Sequence, residues 1–448
     1  MDAPLLTNLE HFGAWLYNDH LVTCDLNKRH IGIHNQSAAA VWLLLNGAVS
    51  IKKLSQKYAE IFAISVEQSR RDVESCLTNW QAQGWVCKDK NDHWQIASTV
   101  SEAQDSFSSS NIVNQNELAA KLDTAAVTTI VHCKKYCFGD ETFELKVKSF
   151  TSLAKDTFAF NFCERLIAVC NGFGQASMTR PIDKFTNSSN GGWVTLTLDG
   201  SGIMLEDSVD LNSRYISTEL AMAHVYESFL RVSYPHRNVV LTLHAAGVKQ
   251  PNLCLSLAGI SGAGKSTLSA FLAKSGWSLL GDDILAIQLS DQDKPELGLL
   301  PFPTAVSLKS GSWPALQSLY PEIEALPTFP YGEKLAKYLA VARHSDSAET
   351  PPSQIKTVQR EKMASAWDAI VLPRYVLKTD PNKKMTINTL SPAEGLQGLL
   401  TAGMSLFGNP SIETVGQALN ALISLPCFSI EYADFHEVQA CLKDLKRV

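Results

Sequence analysis

Apolar and polar positions in the first hundred residues follow two alternating periods. The stretch "LVTCDLNKRHIGIHN" (21–35) alternates on either side of "LNKR", which predicts a hairpin. Period 3.6 then takes over. "NQSAAAVWLLLNG" opens a helix on Asn35 or Ser37 and closes it at Gly47. Ser50 caps "IKKLSQKYAEIF", and Ser65 caps "VEQSRRDVESCLTNWQAQG", which sets Val66, Val73, Cys76, Leu77 and Trp80 on one face. "WVCKDKNDHWQIA" returns to alternation around "DKND" as a second hairpin. Three helices and a terminal β-wing make a winged-helix arrangement over residues 1–97.

From Ser98 to Asn116 the pattern stops. Six serines and few aliphatic residues there cannot bury enough surface to order themselves, so 98–122 reads as a linker. Beyond it, "TFELKVKSF", "ERLIAVCNG" and "GWVTLTLDGSG" read as strands, followed by a helix, "STELAMAHVYESFLRV". These make 123–237 an N-terminal lobe. The remainder, 238–448, alternates buried strands with helices: "RNVVLTLHAAGV", "NLCLSLA", "KSTLSAFLAKSG", then "WSLLGDDILAI" as the following parallel strand. Near the end, "SPAEGLQGLL" has a capping box on Ser391 and Glu394, "CFSIEYA" is a strand and "DFHEVQACLKDLKRV" a last helix. The fold class is α/β, in more than one domain.

At 448 residues, 45% hydrophobic and 19% charged, the chain has the composition of a soluble globular protein. Its net charge of −6 gives no reason to expect nucleic acid or an anionic membrane as partner. No apolar run approaches the roughly 20 residues of a membrane helix. The start "MDAPLLTNLEHFGAW" lacks a secretory pattern, so a cytoplasmic location is expected. Ten scattered cysteines read as reduced, buried thiols, and "HCKKYC" (132–137) lacks the second ligand pair of a metal clip.

The chemistry lies in "GISGAGKST", residues 259–267, which has the spacing G-x-x-x-x-G-K-[ST] between an apolar strand and an amphipathic helix. In that context Gly259, Ser261, Gly262, Ala263 and Gly264 would wrap their backbone around phosphates. Lys265 would reach the β/γ-phosphates, with Ser266 on Mg²⁺ and Thr267 completing the loop. Asp282 and Asp283 close the next strand, sixteen and seventeen residues after Ser266. At the carboxyl end of an α/β sheet they would face the nucleotide, one serving Mg²⁺ and the other an attacking hydroxyl. His244, fifteen residues before the loop, lies on a neighbouring strand where it can pair with them. Lys309, Lys334 and Arg374 are further candidates for phosphate or substrate.

Two resemblances sharpen this. The order from the first hairpin through "HNQSAAAVWLLLNG" and "IKKLSQKYAEIF" to "QGWV", about residues 10–97, resembles the PqqD-like peptide chaperones. Such domains hold the leader segment of a ribosomally made precursor peptide for a modifying enzyme. A DNA-reading winged helix would instead need a basic third helix. Here Arg70 and Arg71 face Glu67, Asp72 and Glu74, a net of −1, and capture of an extended peptide along the sheet edge fits better. "LHAAGV", "GISGAGKST" and "SGWSLLGDD" resemble HPr kinase/phosphorylase over about 238–290. That resemblance implies Asp282 as base toward a substrate hydroxyl, Asp283 on the metal or beside it, and His244 as partner of the base. The family's glutamate–isoleucine–arginine–glycine signature is missing, and the region reads "LLPFPTAVSLKSGSW". HPr kinases are usually oligomers, so the resemblance admits a homo-oligomer.

Together these imply an ATP- and Mg²⁺-dependent kinase acting on a Ser/Thr hydroxyl of a leader-bearing precursor peptide. The alternatives are a kinase of a small molecule or carrier protein, and a nucleotide-gated regulatory ATPase.

Overall fold

A computed structural model describes residues 5–9, 11–17, 19–97, 129–138, 141–149, 158–175, 192–198, 202–217, 220–292, 294–341, 364–376 and 385–445. The expected linker at 98–122 lies outside the described residues. The chain forms a mixed α/β protein divided into two compact units. Unit 1 holds 1–109 with 391–400 and 405–424, and unit 2 holds 110–390, 401–404 and 425–448.

In unit 1, β1 (Leu5–Leu9), β2 (Phe12–Tyr17), β3 (His20–Asp25) and β4 (His30–His34) form an antiparallel sheet in chain order. Three helices follow: α1 (Gln36–Leu44), α2 (Ile51–Phe62) and α3 (Val66–Ala82). The side chains of Asn35, Ser50 and Ser65 each accept an amide of the first turn they cap. The wing is β5 (Val86–Lys88) against β6 (Trp94–Ile96). Aromatic packing joins sheet to helices, with Phe12 centred 5.8 Å from Trp42 and 5.2 Å from Trp85, and Trp42 5.1 Å from Trp80. Val66 departs from its expected place, being exposed at the first turn of α3. Ser69 is buried there instead, its hydroxyl donating to the Ser55 carbonyl at 2.6 Å. The two arginines of α3 are engaged within the helix, Arg70 with Glu74 at 2.8 Å and Arg71 with Glu67 at 3.4 Å.

Two late helices, Pro392–Thr401 and Ile412–Ile423, complete this unit. Ser411 caps the second, and Asn420 Oδ1 accepts the Tyr17 hydroxyl at 3.1 Å. A side chain at Gly416 would begin 2.9 Å from the Trp15 indole nitrogen, so the helix meets β2 backbone to ring.

Unit 2 begins with a six-stranded sheet. Its strands are β7 (Thr129–Phe138), β8 (Glu141–Ser149), β9 (Gly174–Gln175), β10 (Gly192–Leu198), β11 (Gly202–Asp207) and β12 (Arg214–Ser217), in the order β12-β11-β10-β8-β7-β9. "ERLIAVCNG", expected as a strand, is the end of a helix, α4 (Phe158–Cys170). Phe162, Leu166 and Val169 recur at helical spacing and are buried, and that period outweighs the β-branched character of the short run. Helix α5 (Ala221–Ser233) packs on the sheet through Phe229, whose ring is 4.8 Å from that of Phe143.

The second sheet of unit 2 carries the glycine loop. It runs β16 (Ser278–Gly281), β14 (Ala245–Gln250), β15 (Leu253–Ala258), β23 (Ala369–Tyr375), β25 (Cys427–Tyr432) and β24 (Thr386–Thr389). Strand β15 is antiparallel to β14 and parallel to β23. Helix α6 (Lys265–Lys274) follows the loop and buries Leu268, Phe271 and Leu272. Two expected continuous strands are broken. "RNVVLTLHAAGV" divides at His244 into β13 (Val239–Leu243) and β14, and "WSLLGDDILAI" divides at the aspartates into β16 and β17 (Leu285–Leu289). Each switches sheet at the break, with β13 and β17 pairing antiparallel alongside β18 (Leu297–Leu300) and β22 (Ser365–Ala366). A small sheet of β19 (Val306–Lys309), β21 (Lys334–Leu339) and β20 (Phe329–Tyr331) flanks the loop helix. Among the described residues, no helix is long and apolar enough to cross a membrane.

Replacing Gly416 with leucine drives a branched side chain into Trp15, and should lower stability by about 1–3 kcal/mol. Thermal unfolding followed by circular dichroism would measure it; an unchanged midpoint would mean that this helix does not seal the sheet of unit 1.

Candidate functional site

The loop Gly259–Gly264 turns sharply between β15 and α6. Gly262 and Gly264 have φ of 92° and 94°, a region glycine enters without a Cβ clash. At Gly264 crowding adds to conformation: a Cβ would sit 3.0 Å from both Tyr375 Cβ and the Tyr432 hydroxyl. Helix α6 starts with no side-chain cap and no acid in its first turn. Its leading amides are thus left for an anion, reinforced by the helix dipole. Lys265 is buried and folds back, donating to the carbonyls of Gly259 at 2.7 Å and Ile260 at 3.2 Å. Burial lowers its pKa, while Asp282 and Asp283 act in the opposite sense.

Both aspartates lie where β16 breaks. Gly281 lets the chain at Phe302 cross closely, since a Cβ there would come 2.7 Å from the Phe302 carbonyl. That crossing brings Thr304 and Ser307 onto Asp282. The Thr304 hydroxyl donates to the Asp282 carbonyl at 2.9 Å, and the Ser307 amide to Asp282 Oδ2 at 3.1 Å. Asp282 is 1% exposed, and its Oδ1 has no hydrogen-bond partner placed on it among the described residues. Desolvation, and then the charge of Asp283, push its pKa up to about 7, against the Ser307 amide, the nearby Ser266 hydroxyl and Lys265. Asp283 takes φ of 65°, which turns its side chain the other way. Its carboxylate is 25% exposed, with Oδ1 3.6 Å from His244 Nε2.

A cleft of about 450 Å³ joins these parts, a size suited to a small-molecule ligand. His244, Gly262, Gly264, Lys265, Ser266, Thr267 and Asp283 line it among the expected residues. Gly259, Ser261, Ala263 and Asp282 do not form its wall. Lys309 and Lys334 do, and Lys309 Nζ donates to Ser261 Oγ at 2.7 Å. Arg374 lies outside it, largely exposed and 3.6 Å from Glu431. Sequence reasoning missed Ser307, Ser312, Tyr375 and Phe435. Ser312 Oγ lies 2.6 Å from Thr267 Oγ1, tying α6 to the turn after β19. No local signal marked these four, because each is delivered by a segment distant in the chain from the glycine turn.

Ser266 and the buried Asp282 carboxylate would offer hard oxygen donors beside the loop, of the kind that suit Mg²⁺ held between protein and phosphate.

Residues 25–86 match the family model for Coenzyme PQQ synthesis protein D (PqqD), so unit 1 contains a PqqD-like domain. Sequence comparison with characterised proteins gives no match. Among solved structures, the chain is similar to the HPr(Ser) kinase/phosphatase from Coxiella burnetii. The identity is 14% over 46% of this chain and 93% of that one, with a TM-score of 0.19.

The raised pKa has a consequence for stability. Between its unfolded value near 3.8 and its folded value near 7, Asp282 keeps a proton that the unfolded chain has released. Stability contributed by this group is therefore lost as pH rises through that interval. Asp282→Asn should raise the melting temperature of the nucleotide-free protein at about pH 8 and leave it nearly unchanged at about pH 4.5. An equal gain at both would mean that the buried carboxylate is not held protonated.

Proposed function

We propose that unit 2 is an ATP- and Mg²⁺-dependent phosphotransferase, and that its acceptor is a hydroxyl of a peptide captured by unit 1. The observation that carries this reading is the convergence, on one cleft, of an uncapped helix start behind a glycine turn with a carboxylate–imidazole pair. Loop amides and Lys265 would receive the β- and γ-phosphates. Lys309 and Lys334 add positive charge on the facing wall. Mg²⁺ bound by Ser266 and Asp282 would offset the negative charge of the phosphates.

We assign the base to Asp283, reversing the roles implied by the resemblance, because Asp283 lines the cleft and Asp282 is sealed beneath it. The acceptor O–H gives its proton to the Asp283 carboxylate as its oxygen bonds to the γ-phosphorus. The bond from that phosphorus to the β–γ bridging oxygen breaks, and its electron pair leaves with ADP. His244, 3.6 Å from Asp283, steadies the carboxylate as it takes up and releases the proton.

The peptide part of the reading rests on the PqqD-like domain. Strand β4 is an outer strand of its sheet, and its His34 ring meets Trp80 of α3 edge-on at 6.2 Å. An extended leader added along β4 would lie beside α3, held by main-chain hydrogen bonds. Such capture raises the local acceptor concentration to about millimolar, so the kinase cleft need bind the acceptor only weakly.

The purified protein should move label from γ-labelled ATP to a leader-bearing peptide. Label on a metabolite, or released only as free phosphate, would favour the small-molecule kinase or the ATPase instead. Lys265→Ala should abolish nucleotide binding. Asp283→Asn should retain binding and lose about 10²-fold or more in transfer rate, as expected for loss of a general base. If Asp282→Asn rather than Asp283→Asn shows that pattern, the assignment of roles is wrong. A peptide stripped of its leader should need about 10²-fold more concentration for the same rate; equal rates at micromolar peptide would remove unit 1 from the reaction.

A further inference from the structure

The sheet order sorts the ends of the strands around the loop into two kinds. On one side of β15 lie β14 and β16, which bring His244 and the two aspartates. On the other lie β23 and β25, whose carboxyl ends bring aromatic rings: Tyr375 ends β23, Tyr432 ends β25, and Phe435 begins the closing helix Phe435–Asp444. The reacting end of a bound nucleotide belongs with the carboxylates. What the aromatic side is for is not accounted for by phosphate binding or by proton transfer.

Two of these rings form a stack with a third, Phe271. Phe271 of α6 lies 5.2 Å from Phe435 at an interplanar angle of 24°, and Phe435 lies 5.9 Å from Tyr375 at 9°. The stack ends at Tyr375, which is 39% exposed, while Phe271 at its far end is buried. Tyr375 and Phe435 both line the cleft that holds the loop. Tyr432 braces Tyr375 from the side, 5.6 Å away at 68°. The Tyr375 amide donates to the Ala263 carbonyl at 3.1 Å, which registers the ring against the glycine turn. A large aromatic left open at the end of an ordered stack, in a cleft and fixed to a phosphate-binding turn, offers its free face to another flat ring.

We propose that this face binds the base of the nucleotide, and that Tyr375 is the base-stacking residue of the site. The inference rests on the phosphate reading given above and extends it to the other end of the ligand. With phosphates in the loop and the γ-phosphate toward Asp283, the sugar and base leave on the β23 side. A purine covers more of the Tyr375 ring than a pyrimidine does, so the site takes purine nucleotides in preference. Stacking on one face reads flatness and area, not hydrogen-bonding edges, so it sets class rather than identity.

The test compares Mg-ADP with Mg-tripolyphosphate, which has the phosphates and no base, by calorimetry on the full chain. Tyr375→Ala should weaken ADP about tenfold, toward the lower end of what a base–aromatic stack contributes, and leave tripolyphosphate within twofold. Tyr375→Phe keeps the ring and should bind ADP within about twofold of the parent. In the parent, CDP should bind more weakly than ADP. Unchanged ADP affinity in Tyr375→Ala overturns the proposal. So does equal loss of both ligands, since Tyr375 would then be supporting the turn and not the base. A parent that binds tripolyphosphate as tightly as ADP also overturns it. If the parent binds neither, the phosphate reading itself fails and this inference goes with it.

Discussion

The arrangement around the glycine turn depends on one carboxylate kept out of water. Asp282 is enclosed at the broken end of β16, with one oxygen satisfied by the Ser307 amide and the other without a placed partner among the described residues. Such a group is costly unless a proton or a cation completes it. The chain at 302–307 crosses Gly281 closely enough to give the carboxylate the Ser307 amide and to hold the Asp282 backbone carbonyl with the Thr304 hydroxyl. The same crossing starts β19, and with it Lys309 and the turn that meets Thr267. Burial of one acid and placement of the facing lysine wall are thus consequences of a single backbone contact.

The front lobe of unit 2 reinforces that crossing. The Ala305 amide donates to the Val169 carbonyl at the end of α4, and Phe302 lies 5.3 Å from Phe173. Arg165 of the same helix donates to the Tyr338 hydroxyl at 2.6 Å and lies over the Tyr331 ring, which also receives Lys309 at 4.6 Å. Among the described residues, Lys309 is held by the Ser261 hydroxyl and the Tyr331 ring, and Arg165 by the Tyr338 hydroxyl and the same ring. Of the two, Lys309 lines the cleft, where a positive charge suits an anionic ligand.

Local chemistry was legible in the sequence where one short segment carried it. The glycine turn needs positive φ at fixed offsets, and the caps at Asn35, Ser50, Ser65 and Ser391 are one-residue signals whose amide partner lies three positions on. Periodicity misled at 164–172, where a run of five apolar residues fits either period until its burial is known. It also hid the breaks at His244 and at Asp282–Asp283, because an apolar run looks continuous even when the backbone changes sheet within it. Ser307, Tyr375 and Phe435 reach the cleft from segments far along the chain from the glycine turn, which no spacing rule encodes. The return of 391–400 and 405–424 to unit 1 is of the same kind, since capping boxes announce helices and not their neighbours.

That return bears on how the protein is made. The sheet that contains Trp15 is complete at His34, yet the helix that covers it ends at Ile423. On the ribosome, domains usually fold in the order in which they emerge. Here the sheet waits for several hundred further residues before its indole is sheathed, so the nascent chain carries an open apolar seam until the helix Ile412–Ile423 is made.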